Sequence, residues 1–313
     1  MFGMRPRKKQ PEKDLGFGTV VASASAGRLL NRDGSFNSRR EGLGPLRSMH
    51  LYDTLLTMSW SRFLLLVGVA YLVANTCFAL AYLALGPEAL TGPIVTATFT
   101  RAFFFSVHTL STVGYGHIVP ANIAANILMT LESLFGLFGI ALTTGLVFAR
   151  FARPTAKIQF SDNAIVSPYD GGRGLMFRIA NQRSTQIIEL EATVVFSQMV
   201  TEQGQRKRRF YGLPLERAKV VFFPLQWTIV HPIDENSPFD TLTSEECLES
   251  DAEILILLKG IDETFSQVVH TRSSFKATEI LWSRRFADVY LREGANIVGV
   301  DLGRLNDTES ATL

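Results

Sequence analysis

The sequence is short of cysteine, of charge, and of any marked excess of one charge. Two cysteines in 313 residues exclude a disulfide scaffold. Cys77 lies in an apolar run and Cys247 in an acidic stretch, so neither a bridge nor a metal cluster is expected. Charged residues make up 19%, below the roughly 25% usual for soluble domains. A formal net charge of +2 removes the bulk electrostatic argument for nucleic-acid binding. Enzyme signatures are missing as well. The histidines (His50, His108, His117, His231, His270) are scattered without metal-ligand spacing, and GxSxG, Walker and dinucleotide motifs do not occur. Apolar residues, by contrast, reach 47% and include 23 phenylalanines, which excludes a disordered chain. The length fits one large domain or two ordinary ones.

The apolar residues are concentrated. No charged residue occurs from Phe63 to Pro87, and only Glu132 interrupts Ala121 to Ala149. About 20 apolar helical residues cross a hydrocarbon core of roughly 30 Å. An outer helix over 62–86 and an inner helix over 121–150 are therefore expected to span a membrane. Uncharged runs of this length are rare in soluble cores, and the first lies too far from the N-terminus for a cleaved signal. Basic residues crowd the segment before the first span and return at Arg150, Arg153 and Lys157, whereas residues 88–120 hold only Arg101. This bias predicts cytoplasmic termini and an intracellular C-terminal part.

The connection reads TFTRAFFFSVHTLSTVGYGHIVP. It is too apolar for a water-exposed loop. A helix over 97–110 that dips back into the membrane is expected, allowed where backbone lies within protein or lines a water-filled cavity. In the TVGYG that follows, Gly114 and Gly116 tolerate positive φ, and alternating hands would turn successive carbonyls the same way. Thr112, Val113, Gly114 and Tyr115, with Gly116 closing the motif, then form a filter over 112–116. Four such strands around an axis replace the hydration shell of a potassium ion. One chain cannot close that ring, so a homotetramer is implied. A tight turn without an ion role is the plain alternative.

With these residues in view the chain resembles prokaryotic inward-rectifier potassium channels, over roughly residues 30 to 306. HLYDTLLTMSW at 50–60 resembles their interfacial slide helix, and ARFARP at 149–154 their junction between inner helix and cytoplasmic domain. GLMFRIANQRSTQIIELEATVVF, WTIVHPIDENSPF, LLKGIDETFSQVVHTRSSF and EILWSRRF resemble the cytoplasmic blocks in the same order. The resemblance implies a membrane α-helical pore, two transmembrane helices with a re-entrant pore helix and filter, followed by a cytoplasmic immunoglobulin-like β-sandwich, all in a homotetramer. The expected organisation is an N-terminal segment at 1–46, a slide helix at 47–60, a pore domain at 61–154, a sandwich at 155–306 and a tail at 307–313. LLNRDGSFN at 29–37 would pair with the neighbouring cytoplasmic domain. KGIDE, with Gly260, Asp262 and Glu263, would be a loop that narrows the cytoplasmic pore and concentrates cations. Short alternating segments between polar turns over 155–305 independently predict a sandwich or barrel. Met176 and Arg178 are expected on the face opposite Leu175, Phe177 and Ile179.

Some residues depart from the family pattern. His108 stands where many members carry a glutamate that braces the filter, and Ile118 replaces its arginine partner. Filter support then falls to Tyr115, to packing over Phe103–Phe105 and to His108. The acidic inner-helix position of strongly rectifying members falls at Ile140. Glu132 is either a filter support or a pore-lining charge. Ile140, Thr144 and Phe148 recur at four-residue steps along one side of the inner helix, so they are expected to line the pore, with Phe148 as a hydrophobic gate. Gly136, Gly139 and Gly145 offer hinges. Trp60, Arg62, Arg150, Arg153 and Lys157 form a candidate site for anionic lipid heads, phosphoinositides among them. Potassium ions in the filter, no organic cofactor, and block by polyamines or Mg2+ complete the expectation, in a bacterial plasma membrane. Two rival readings remain open: a membrane-anchored sandwich that senses a ligand, and a two-span potassium channel with another regulatory domain.

Overall fold

The computed structural model describes residues 27–37, 51–92, 98–152, 156–183, 185–294 and 296–312. The chain divides into two compact units, residues 41–153 and residues 1–40 with 154–313.

Among the described residues the first unit holds four helices: α1 (Leu51–Thr57), α2 (Trp60–Ala84), α3 (Thr98–Leu110) and α4 (Ile123–Phe151). At about 1.5 Å per residue, α2 and α4 run about 38 and 44 Å, enough to cross a bilayer, whereas α3 reaches only about 20 Å. Leu65, Leu72, Leu131 and Phe138 stand on the outside of the spans, as lipid-facing positions should. Helix α4 starts at Ile123 because the Asn122 side chain accepts the Ala125 N–H at 2.8 Å. Where the helices cross, Ala79, Ala102 and Ala125 are buried beside Tyr82 and Phe105; small side chains let helix backbones approach closely. A short antiparallel pair, Leu90–Thr91 with Val119–Pro120, ties the two flanks of α3 together. Arg101 adds a bond to the Leu90 carbonyl.

The second unit is a sandwich of two five-stranded sheets. One sheet runs Gln267–Lys276, Glu253–Asp262, Ile187–Glu202, Gln205–Gly212, with Lys219–Phe223 also paired to Ile187–Glu202. The other runs Ile280–Trp282, Ala164–Tyr169, Gly172–Asn181, Ile158–Phe160, with Gln226–Ile233 paired to Gly172–Asn181. Leu175, Phe177 and Ile179 enter the core between the sheets with Phe196, Ile254, Ile256 and Phe275. Met176 faces the other way, into a second cluster with Ile165 and Val230 against which Phe286 packs. That face is therefore covered rather than wet. Arg178 is buried on it, its guanidinium 4.6 Å over the Phe286 ring. The expected tail is part of the fold: Thr308–Ser310 pairs with Arg284–Phe286, and Arg285 meets Glu309 at 2.8 Å.

Residues 27–37 dock on the sandwich of their own chain, where the resemblance implied a neighbour's. Leu29 and Leu30 are buried with Val195, Phe210 and Leu255. The fully buried Glu253 carboxylate accepts the Leu29 N–H at 2.9 Å and the Leu30 N–H at 3.2 Å. Arg28 donates to the Ser274 carbonyl and to Glu279, each at 2.8 Å. Asp251 accepts the Gly27 N–H at 3.0 Å and pairs with Arg208 and Lys276. Burial alone would raise the Asp251 carboxyl, but bonds from Lys276 and Gly27, with the Lys276 and Arg208 charges, hold it below the usual range. A carboxyl depressed on folding stabilises above its unfolded value and loses that contribution as pH falls through the folded one. The segment should stay docked from neutral pH to about pH 4 and loosen below it. Hydrogen exchange of 27–37, referenced to unstructured rates at each pH, checks this.

Candidate functional site

The chain leaves α3 at Leu110 and turns back through Thr112–Gly116. Three residues of this stretch lie in the left-handed region: Thr112 at φ 57°, Gly114 at 56° and Gly116 at 79°. They alternate with Val113 and Tyr115, whose φ is not positive. Threonine adopts this conformation only at a steric cost of about 1–2 kcal/mol, so the surroundings must hold it. One carbonyl does much of that. His108 O accepts the N–H groups of Val113 at 2.9 Å and Gly114 at 3.2 Å, and Thr112 N–H bonds Thr109 O at 3.0 Å. The His108 ring meets Tyr115 edge-on at 4.9 Å and His117 at 5.4 Å. A Cβ on Gly114 or Gly116 would meet nothing within 4 Å, and Tyr115 is 72% exposed. In the single chain this side of the loop stands open.

Behind the loop lies a buried polar cluster. Glu132 from α4 accepts the Tyr82 hydroxyl of α2 at 2.8 Å and contacts the Ser106 hydroxyl of α3. Ser106 Oγ also lies 3.1 Å from Asn75 Oδ1. Nearer the loop, Tyr71 Oη and Ser111 Oγ are 2.7 Å apart. Glu132 thus faces its own chain's helices. Nothing in the sequence names those partners; only a lone charge within a span pointed to the residue.

Gly136, expected as a hinge, also permits a close helix contact. A Cβ there would lie 2.3 Å from the Leu110 carbonyl oxygen, so the glycine permits α4 to touch the end of α3. Gly139 and Gly145 have open space around them. Ile140 and Thr144 line an apolar crevice of about 460 Å³ between α2 and α4, together with Phe63, Tyr71 and Gly139. Phe148 is 74% exposed.

At the end of α4 the Arg150 guanidinium lies 4.7 Å from both the Trp60 and Phe63 ring centres. It donates to the Leu55 and Met58 carbonyls, the latter at 2.6 Å. These are carbonyls at the α1 C-terminus that have no intrahelical partner. Trp60 also packs on Phe151 at 4.9 Å. Arg150 is thereby engaged with protein, while Arg62 and Lys157 are exposed. Arg153 lies outside the described residues. Within the helical unit, Trp60 and Arg150 are in contact, and Arg62, beside Trp60 in sequence, is exposed.

The KGIDE stretch differs from the expected loop. Gly260 and Asp262 belong to the strand Glu253–Asp262, at a bulge between Lys259 and Ile261. A Cβ on Gly260 would meet Ile187 Cγ2 at 2.6 Å. Asp262 is 1% exposed, paired with Arg183, and accepts the Thr264 N–H at 3.0 Å. Its charge is spent inside the fold. Glu263 alone of the three is exposed.

Residues 63–153 match the ion channel family model, and residues 158–313 match the inward rectifier potassium channel C-terminal domain. The chain is 41% identical over 296 residues to inward rectifier potassium channel Kirbac3.1 of Paramagnetospirillum magnetotacticum, covering 93% of this chain and 98% of that one. It is 29% identical to ATP-sensitive inward rectifier potassium channel 12 of Gallus gallus, over 82% of this chain and 65% of the relative. Channel 14 of Mus musculus is also 29% identical, over 89% and 69%. Among solved structures, the Bacillus subtilis sporulation control protein Spo0M overlays with a TM-score of 0.23 at 8% identity, over 41% of this chain and 50% of that one. That overlay is too slight to bear on fold or function.

The Gly136 contact has a direct consequence. Gly136→Ala must push α4 off the Leu110 carbonyl, at a cost of about 1–3 kcal/mol. Gly139→Ala, with open space, should cost far less. Thermal unfolding of the two variants in detergent should show the first melting clearly below the second.

Proposed function

The chain belongs to the inward rectifier potassium channel family, an ion channel family and not an enzyme family, and from that premise we propose how its residues conduct. Four copies surround one axis, and the carbonyls of Thr112, Val113, Gly114 and Tyr115 replace the water around a dehydrated potassium ion. The observation that supports this most is the alternation of positive φ at Thr112, Gly114 and Gly116. A loop that merely turned the chain has no need of three such residues in five. The open side of Gly114 and Gly116 is where the other three copies and the ion belong. The protein is a membrane protein; the plasma membrane of a bacterium, with both termini cytoplasmic, is the placement the basic residues favour.

Phe148, exposed near the cytoplasmic end of α4, is the gate by dewetting when four rings converge. Ile140 gives the inner helix no charge there, so polyamine or Mg2+ block is shallow. Arg62 and Lys157 are the exposed cations left to meet anionic lipid heads, each worth about 1 kcal/mol near such a surface, and phosphoinositide inhibits. Arg150 instead couples the slide helix to the inner helix.

One set of liposome flux measurements tests the reading. Wild type should pass potassium over sodium. Gly114→Ala should lose that selectivity, because alanine costs about 1–2 kcal/mol per subunit at positive φ; retained selectivity would sink the filter assignment. Arms with internal spermine and with phosphoinositide test block and lipid inhibition, a steep block or an absent lipid response counting against each. Phe148→Ala should raise basal flux in intact tetramers, and an unchanged rate would remove the gate from this position.

A further inference from the structure

The cluster behind the pore helix has one hydrogen too few. Asn75, Ser106 and Glu132 are completely buried and Tyr82 is 1% exposed. Tyr82 Oη donates to Glu132 Oε2 at 2.8 Å. Asn75 Nδ2 donates to the Tyr71 carbonyl at 2.8 Å, which turns Asn75 Oδ1 towards Ser106, 3.1 Å away. Ser106 Oγ therefore faces two acceptors, Asn75 Oδ1 and Glu132 Oε1. A hydroxyl has a single hydrogen, and an ionised carboxylate has none to give. With a carboxylate, one oxygen facing Ser106 is left without a hydrogen, and a buried unpaired acceptor costs about 1–3 kcal/mol. Among the described residues both partners of the Glu132 carboxyl are hydroxyls, and none is a cation.

We propose that Glu132 sits in this cluster as the neutral acid and donates its own hydrogen to Ser106 Oγ. Ser106 is then free to donate to Asn75. A single directed chain runs from Tyr82 through Glu132, Ser106 and Asn75 to the Tyr71 carbonyl, and each bond has one hydrogen. The same residue, Tyr71, reaches Ser111 beside the filter through its hydroxyl. Glu132 is thus a positioning residue that ties the inner, outer and pore helices together. It is not a charge offered to permeating or blocking cations.

The functional arm of the test rests on the filter assignment; the spectroscopic arm does not. Infrared spectra of the reconstituted full-length channel at neutral pH should contain the carbonyl stretch of a buried protonated carboxylic acid. Glu132→Gln should remove that band. Glutamine can donate to Ser106 and accept from Tyr82, so this variant should keep potassium flux and spermine response within about twofold of wild type. Glu132→Leu, which can do neither, should lose about tenfold or more, the scale of unpaired buried partners. Absence of the band in wild type overturns the proposal. So does a tenfold loss of flux in tetrameric Glu132→Gln. If wild type itself passes no selective flux, the filter reading fails, and the band alone still decides the state of Glu132.

Discussion

A strand whose carbonyls are kept free for an ion cannot use them to hold itself together. On the filter role proposed for Thr112–Gly116, this constraint governs the helical unit. The N–H groups of the Thr112–Gly114 stretch are anchored on the end of α3, and two of them share the His108 carbonyl. The support then passes outward. Helix α3 is too short to span, so α2 and α4 must carry it, and they do so through hydroxyls, an amide and one carboxyl at their crossing. The alanines at that crossing and the missing Cβ of Gly136 bring the backbones close enough for those short side chains to meet. In hydrocarbon there is no water to take over an unmade bond.

The sandwich unit solves a different problem with ordinary means. Its apolar core lies between two sheets, and its few buried acidic groups are engaged inside the fold. Asp262 serves Arg183, Asp251 serves Arg208 and Lys276, and Glu253 serves two main-chain N–H groups of the N-terminal segment. Asp262, which in the sequence looks like part of a cation-concentrating loop, is a structural tie.

What could be read from the sequence followed from local signals. Two long apolar runs gave the spans, and TVGYG between them gave the loop, because both are properties of consecutive residues. Alternation placed Leu175, Phe177 and Ile179 on one face. It could not show that the opposite face, with Met176 and Arg178, is covered by the chain's last segments. The strand Gln205–Gly212 was illegible because its run of basic residues hides the alternation, and Thr308–Ser310 because three residues carry no period. The partners of Glu132 and Arg150, and the reason for Gly136 and Gly260, depend on residues far apart in the chain. No spacing rule reports them.

The contact of Gly136 with the Leu110 carbonyl also sets the mechanics of the inner helix. It fixes a fulcrum at the end of α3, just before the Thr112–Gly116 loop, and the remainder of α4 becomes a lever. From Gly136 to Phe148 that arm is about 18 Å long. A tilt of about 10° would sweep its far end by about 3 Å while leaving the pivot, and the strained loop above it, almost still. Leverage of this kind separates a wide excursion at one end of the helix from the immobility that ion recognition demands at the other.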